Sequence, residues 1–298
     1  MFLALWKIRV SSNVSSSLLC KLIGLCLLSF VAEVGFAQQE QPSDTMRSAP
    51  TELEPEEDEI VTDRDSFTPS AQTVSKGRTI LEASYSFIDN RAGYETHSFP
   101  EILWRYGLNE KWELRLGWNY EIGAENSIVS GNGTIAEFGS ESEVEQASRL
   151  LFGVKRSLTR QEGILPHSAI IIQGSTPTSG ENNFTSLAIV PVTGWRFQNG
   201  WTWDSALRFS TSGGDGDTFN LWDPSTVLKF PLGERFQGHV EYFGIRTQGR
   251  EVETSQHFVS PGLHYLVSRD FEVGWRSGWG LNDSSPNFFF NFGLGKRF

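Results

Sequence analysis

Cysteine is nearly absent from this chain of 298 residues: the two present, Cys20 and Cys26, both lie in the first 37 positions. The rest of the chain therefore has no disulfide, thiolate metal site or cysteine nucleophile. Past the N-terminus no apolar run approaches the roughly 18 residues that a membrane helix needs, which excludes a helical membrane protein. Basic charge is scarce as well, with 25 Lys and Arg against 36 Asp and Glu and a net charge of −11, so nucleic acid is a poor partner. The five histidines are scattered, with no pair at ligand spacing on one strand, so no metal is expected. Nothing in the pattern asks for a cofactor.

The first 37 residues have the build of a secretory signal. Lys7, Arg9 and Lys21 form a positive region, Leu22 to Val34 is largely apolar, and Gly35-Phe36-Ala37 places small residues three and one before a cut after Ala37. Leu19 and Leu25 precede the cysteines where lipid attachment would want a small residue, which argues against a lipoprotein. Removing the segment takes the net charge to −13. Residues 38–69 follow as a polar, proline-containing leader, and its Gln38–Asp65 portion carries ten acidic residues and two arginines. Such a stretch buries too little apolar surface to offset chain entropy, so it is expected to be solvated and disordered in the periplasm. A docking tail for a periplasmic partner is the alternative.

From Thr79 onward the pattern has period two. Trp112, Leu114, Leu116, Trp118, Tyr120 and Ile122 alternate with Glu113, Arg115, Gly117, Asn119 and Glu121. In a strand these sets face opposite sides, whereas a helix would scatter both around its axis. The pattern recurs and predicts about twelve strands, at 79–89, 98–108, 112–122, 145–156, 167–175, 185–197, 201–211, 220–231, 236–246, 256–267, 271–281 and 287–298. Links near 109–111, 198–200, 232–234 and 268–270 are short, and Asn199-Gly200 is a tight-turn signal. The intervening links are longer, as at Gly123 to Glu143 and Thr211 to Thr218, although Ser157 to Pro166 is long where a short turn is expected. Alternating short and long links belong to outer-membrane barrels, and an even strand number brings both termini to the periplasmic side.

A soluble sandwich also alternates, but three features favour the bilayer. Trp104, Trp112, Trp195, Trp201, Phe236 and Phe271 sit near strand ends, where aromatic girdles belong. The opposite faces mix both charges with glycine, as a crowded polar lumen would. The last segment alternates Phe288, Phe290, Phe292 and Leu294 and ends in Phe298. Closure also removes sheet edges, whose unpaired groups would each cost several kcal/mol in lipid. The expected fold is all-β: a closed antiparallel transmembrane barrel over residues 70–298, embedded in outer-membrane lipid.

Asp63-Arg64-Asp65-Ser66-Phe67-Thr68-Pro69, Glu82-Ala83-Ser84-Tyr85-Ser86-Phe87, Pro100-Glu101 and Glu113-Leu114-Arg115-Leu116-Gly117 together resemble the family named for the MetA pathway of phenol degradation. The resemblance spans roughly residues 62–298 and is strongest in the first three strands. It implies an outer-membrane barrel that passes small, in part aromatic, compounds; it carries no catalytic residues. Phe298 also resembles the terminal signal read by the barrel-assembly machinery, although Lys296 stands where many such signals have an aromatic residue.

Inward-facing candidates are Glu82, Glu101, Arg105, Glu113, Arg115, Glu121, Arg149 and Lys155 on the first four strands, then Asp204, Arg208, Glu241, Glu272 and Arg276. They are either a selectivity lining for a small-molecule solute or a structural ladder of ion pairs between strands. Eight strands are filled by side chains and sixteen leave a channel, so about twelve leaves pore radius open. The leading expectation is a channel for passive diffusion, with a closed structural or surface-display barrel as the alternative. A third reading places Ser260, His264, His239 and Glu241 on one polar face as the parts of a hydrolase. Gly213-Gly214-Asp215-Gly216-Asp217 lacks the further oxygen ligands of a calcium loop and reads as an external loop.

Overall fold

A computed structural model describes residues 59–91, 93–123, 144–180, 183–214 and 217–298. The expected signal segment, the leader up to residue 58 and the link at 124–143 lie outside the described residues. Twelve strands follow in order: β1 (Thr79–Asp89), β2 (Thr96–Asn109), β3 (Trp112–Gly123), β4 (Glu145–Thr159), β5 (His167–Ser179), β6 (Ser186–Arg196), β7 (Thr202–Gly214), β8 (Asp217–Pro231), β9 (Phe236–Gln248), β10 (Ser255–Ser268), β11 (Phe271–Gly280) and β12 (Phe288–Arg297). Each pairs antiparallel with its sequence neighbours, and β1 pairs with β12, from Ile80 opposite Arg297 to Asp89 opposite Phe288, which closes the barrel. Phe298 and Thr79 exchange backbone hydrogen bonds of 2.8 and 3.1 Å at the seam. Among the described residues no helix is long and apolar enough to cross a membrane.

The strands fall within four residues of the boundaries expected from period two. Asn199-Gly200 makes the β6–β7 turn, with Gly200 at φ 80° and its N–H donating to the Phe197 carbonyl at 3.0 Å. Two links differ from expectation. β7 runs to Gly214 and β8 starts at Asp217, so most of the stretch read as a loop from Thr211 to Thr218 is strand; Asp215 and Gly216 lie outside the described residues. The irregular link after β4 closes on itself, since Glu162 and Leu165 exchange two backbone hydrogen bonds and form a small bridge of their own.

The wall is inside out relative to a soluble protein. Phe152, Ile172, Ile189, Leu207 and Val240 are exposed on the outer face, while Glu82, Arg105, Glu113 and Lys155 are fully buried within. Around the rim of the short links Trp112 carries Arg156 over its ring at 5.1 Å, and Trp201–Phe230 and Phe236–Tyr265 pair at 5.6 and 4.9 Å. Toward the other rim Trp118 stacks on Tyr120, Phe209 meets Trp222 and Trp279 meets Phe288. An aliphatic belt between two aromatic girdles is the surface that a hydrocarbon layer with two wet interfaces selects.

The leader does not behave as expected. Residues 60–74 run inside the barrel, with Ser75 and Lys76 exposed at its rim, and Ile60, Asp63, Arg64, Phe67, Thr68, Ala71 and Val74 are all buried. The segment enters at the short-link end, where the Ile60 N–H donates to the Arg269 carbonyl at 2.9 Å. It turns around Phe67 and returns to the same end, where Lys76 bridges Gly107 in parallel register before β1 begins. The reading of residues 38–69 as wholly solvated is therefore corrected for 60–69. The apolar content of the stretch is too low to predict burial, but charge pairing and hydrogen bonding add to the few apolar contacts of Ile60, Phe67, Ala71 and Val74. Glycine marks the closest approaches: a Cβ on Gly107 would lie 2.1 Å from the Ser75 carbonyl oxygen, and one on Gly295 2.4 Å from Cγ2 of Thr62.

Candidate functional site: the lumen and its leader segment

A segment inside a barrel has no ladder to join, so its backbone N–H groups need other acceptors. Wall carboxylates supply them. Glu82 accepts from the N–H groups of Asp63 and Arg64 at 2.9 and 2.8 Å. Glu241 accepts from those of Phe67 and Thr68 at 3.0 and 2.7 Å and from the Thr68 hydroxyl at 2.8 Å. Glu113 takes the Val74 N–H at 2.9 Å and Asp204 the Ala71 N–H at 3.3 Å. Glu272 accepts the Thr62 hydroxyl at 2.9 Å.

The leader's own charges complete the wall's. Asp63 receives Arg115 at 2.6 Å and Lys155 at 2.9 Å, with Arg105 at 3.7 Å. Arg105 also binds Glu82 at 3.0 Å and Glu113 at 2.9 Å. Arg64 reaches across to Glu101 at 2.8 Å and to the Ile102 carbonyl at 3.0 Å. Burial opposes the charged form of Asp63, but Arg105, Lys155 and Arg115 outweigh it and hold its carboxyl well below the usual carboxylate range. Asp65 binds Lys229, and for it too the cationic neighbours outweigh burial and lower the carboxyl.

Above this charged layer lies an apolar cluster with polar residues around it. Phe67 stacks on Phe243 with centroids 4.3 Å apart, and Phe243 on Phe258 at 4.6 Å. Ile88, Phe219, Leu221, Ile245 and Phe289 complete the cluster. Arg208 lies over the Phe67 ring at 5.4 Å and Arg276 over Phe289 at 5.3 Å, while Arg276 binds Glu241 at 2.7 Å. A smaller apolar contact joins Ala71 to Ile171 of β5 and to Val190 and Val192, on a stretch of β6 that is apolar on both faces.

The candidates named from sequence all belong to the inner face, but they do not form one site. Glu82, Glu101, Arg105, Glu113, Arg115 and Lys155 meet Asp63 and Arg64 in one network, and Glu241 and Arg276 hold the turn at Phe67. Glu121 and Arg149 lie nearer the long-link rim, where Glu121 accepts from Asn119 at 2.8 Å and Arg149 donates to the Phe184 carbonyl at 2.9 Å. Arg208 stands opposite Asp223 in the β7–β8 register. Sequence reasoning missed Asp63, Arg64, Asp65 and Lys229. The run from Asp63 to Pro69 was the available signal: acidic, basic and aromatic residues in close alternation suit a polar interior better than a solvated tail.

The hydrolase arrangement is not assembled. The Ser260 hydroxyl donates to the Ser277 carbonyl at 3.0 Å, Glu241 is committed to Arg276 and the leader, and His264 meets His239 at 2.6 Å. A cavity of about 290 Å³ opens at the short-link end, lined in part by Asp65, Asp204, Lys229, His264 and Glu272.

The sequence pattern of the family described as MetA-pathway of phenol degradation matches residues 62–298. No curated protein matches the chain by sequence. Among solved structures, an outer membrane channel from Pseudomonas putida F1 superposes with a TM-score of 0.51 at 10% identity, covering 83% of this chain and 100% of that one. The NanC porin gives 0.48 at 9% identity over 73% and 98% of the two chains. The translocator domain of the autotransporter NalP from Neisseria meningitidis gives 0.46 at 12% identity over 76% and 90%. At such identities the likeness is one of fold.

Proposed function

As the chain belongs to the MetA-pathway of phenol degradation family, we propose that it is an outer-membrane channel for passive passage of small solutes, with its own leader segment as an internal gate. The observation that carries this reading is the way the leader is held. Residues 60–76 make no continuous ladder with the wall: side-chain hydrogen bonds and ion pairs, small apolar contacts at Ile60, Ala71 and Val74, and one aromatic stack hold them, so they can leave without unzipping the barrel. Once they leave, the same carboxylates and guanidinium groups line a polar passage beneath a ring of phenylalanines. That combination suits small aromatic compounds carrying a polar group, through ring stacking and cation–π contact. The reading is non-enzymatic. The short-link rim and both ends of the barrel domain face the periplasm, the chain is exported by its N-terminal segment, and Phe298 serves the assembly machinery.

A second reading is a structural barrel with a permanently filled lumen. It draws on the density of ion pairs around Asp63, each nearly free of solvent. Conductance in planar lipid bilayers separates the two. The channel reading expects rare openings from the unaltered protein and more frequent ones from the double variant E82Q/E241Q, which weakens the acceptors of four leader N–H groups. Silence from both, with heat-modifiable migration showing that both are folded, would establish the filled barrel. Liposome flux of benzoate against hexanoate then tests the preference for aromatic solutes.

A further inference from the structure

Where the leader passes the β10–β11 hairpin, three side chains from three separate elements converge. Asp65 Oδ2 and Glu272 Oε1 each lie 3.6 Å from Nδ1 of His264, and the three donor atoms fall within 4.8 Å of one another. The cluster is nearly closed to solvent, with side-chain exposures of 5, 2 and 12% for Asp65, His264 and Glu272. His264 Nδ1 is buried and has no hydrogen-bond partner among the described residues. At 3.6 Å it is beyond hydrogen-bond reach of either carboxylate. The two 3.6 Å separations are close to the roughly 3.4 Å that a tetrahedral ion with bonds of about 2.0–2.1 Å sets between its ligands, and the Asp65 and Glu272 oxygens would draw together on binding.

We propose that Asp65, His264 and Glu272 bind a divalent first-row metal ion, with zinc as the best match. Two carboxylates and an imidazole form a mixed oxygen and nitrogen set, which suits zinc and disfavours calcium and magnesium, whose protein ligands are oxygens. Three protein ligands leave a fourth position, and here it opens toward the 290 Å³ cavity that the same three residues line. The support behind the imidazole also fits. His264 Nε2 and His239 Nδ1 are 2.6 Å apart, so a proton on Nε2 is held by His239 and Nδ1 keeps its lone pair for the ion. Close packing fixes both rings: a Cβ on Gly262 would lie 2.2 Å from the His239 ring, and one on Gly274 2.8 Å from Nδ1 of His264.

Two neighbours tune the site. Lys229 competes with the ion for Asp65, and Thr62 donates to the Glu272 oxygen that faces it. The bound ion would pin the leader to the hairpin directly below the turn at Phe67. This holds whether or not the lumen conducts.

The test uses the purified full-length protein in detergent, stripped with a chelator and titrated with zinc alone by calorimetry, with bound metal counted by elemental analysis after dialysis. One zinc per chain is expected. His264→Ala and Glu272→Gln should each weaken binding by more than about 100-fold, beyond the 10–100-fold that loss of a supporting residue costs, and His239→Phe should fall within that range. Lys229→Met should tighten binding. His257→Ala, on the same strand but bonded to Ser255 and Tyr242, should leave it unchanged. Heat-modifiable migration verifies each fold; Glu272→Gln keeps the shape of the side chain and serves if His264→Ala misfolds. Absence of zinc above background would overturn the proposal. So would binding that survives both ligand substitutions, or that His257→Ala abolishes as they do.

Discussion

The two ends of the lumen hold one short segment by opposite means. Toward the short links, Asp63 and Arg64 sit in a net of ion pairs to Glu82, Glu101, Arg105, Arg115 and Lys155. Toward the long links, Phe67 lies in a stack of rings with Phe243, Phe258 and Phe289 close by. Charge pairing in a dry interior has a large desolvation penalty and is worth most when complete, so that end should fail abruptly when one partner is removed. Ring burial is non-directional and degrades in proportion to the area lost. The lesson is that a polar segment carrying Asp63, Arg64 and Asp65 can be an interior element when the wall offers the counter-charges.

Arg105→Met should break the charged end and give the largest effect. It strips the shared guanidinium from Asp63, Glu82 and Glu113 at once, and breaking a buried pair in this way costs about 3–5 kcal/mol. Hydrogen exchange of the Asp63, Arg64 and Val74 amides reads it, because each donates to a buried carboxylate. Those amides should open while Phe67 and Thr68 stay protected. Simultaneous opening of all five would show that the two ends are one cooperative unit and remove the distinction.

Phe67→Ala attacks the other end. Loss of a buried phenylalanine costs about 3 kcal/mol where neighbours can settle into part of the space. Exchange at Phe67 and Thr68 should then rise roughly a hundredfold, since 1.4 kcal/mol is a factor of ten. Protection at Asp63 that drops as far as at Thr68 would contradict independent anchoring. A smaller effect is expected from Gly107→Ala, where the added methyl meets the Ser75 and Val74 carbonyl oxygens at 2.1 and 2.5 Å. Such overpacking costs about 1–3 kcal/mol and should loosen only the returning limb, near Lys76 and Gly77.

The barrel wall was legible because the bilayer imposes a rule on every second residue, and Trp112 to Ile122 obeys it without exception. Glu82, Arg105, Glu113, Arg115, Lys155 and Arg276 were legible as inward-facing for the same reason. What they touch was not. Some pair along the wall, as a ladder between strands would have them, Arg105 with Glu82 and Glu113 and Arg276 with Glu241; the rest of their partners lie in residues 60–76, joined to them by no periodicity, and a hydropathy reading places Asp63-Arg64-Asp65 in water. The cluster at Asp65, His264 and Glu272 was illegible for a related cause: its members come from the leader, β10 and β11, and only the β10–β11 register, with Leu266 opposite Glu272, brings the last two near each other. Ser260 and His264 shared a polar face as read, yet the hydroxyl turns to the Ser277 carbonyl instead. A shared face fixes direction and leaves partners to tertiary packing.

The smallest expected effect sharpens the comparison most, because it holds geometry constant. Arg276–Glu241 and Arg297–Asp270 are both guanidinium–carboxylate contacts of 2.7 Å. In the first both side chains are dry; in the second the Asp270 side chain, at the short-link rim, is 49% exposed. Water screens the rim pair and solvates whichever partner is left behind, so Asp270→Asn should cost less than about 1 kcal/mol in thermal unfolding of the detergent-solubilised barrel. Glu241→Ala leaves Arg276 and the Phe67 and Thr68 N–H groups without that acceptor in a dry interior, and should cost several times more. Equal losses from the two substitutions would mean that burial does not set the strength of the lumen's ion pairs, and the charged end of the leader would then need another account.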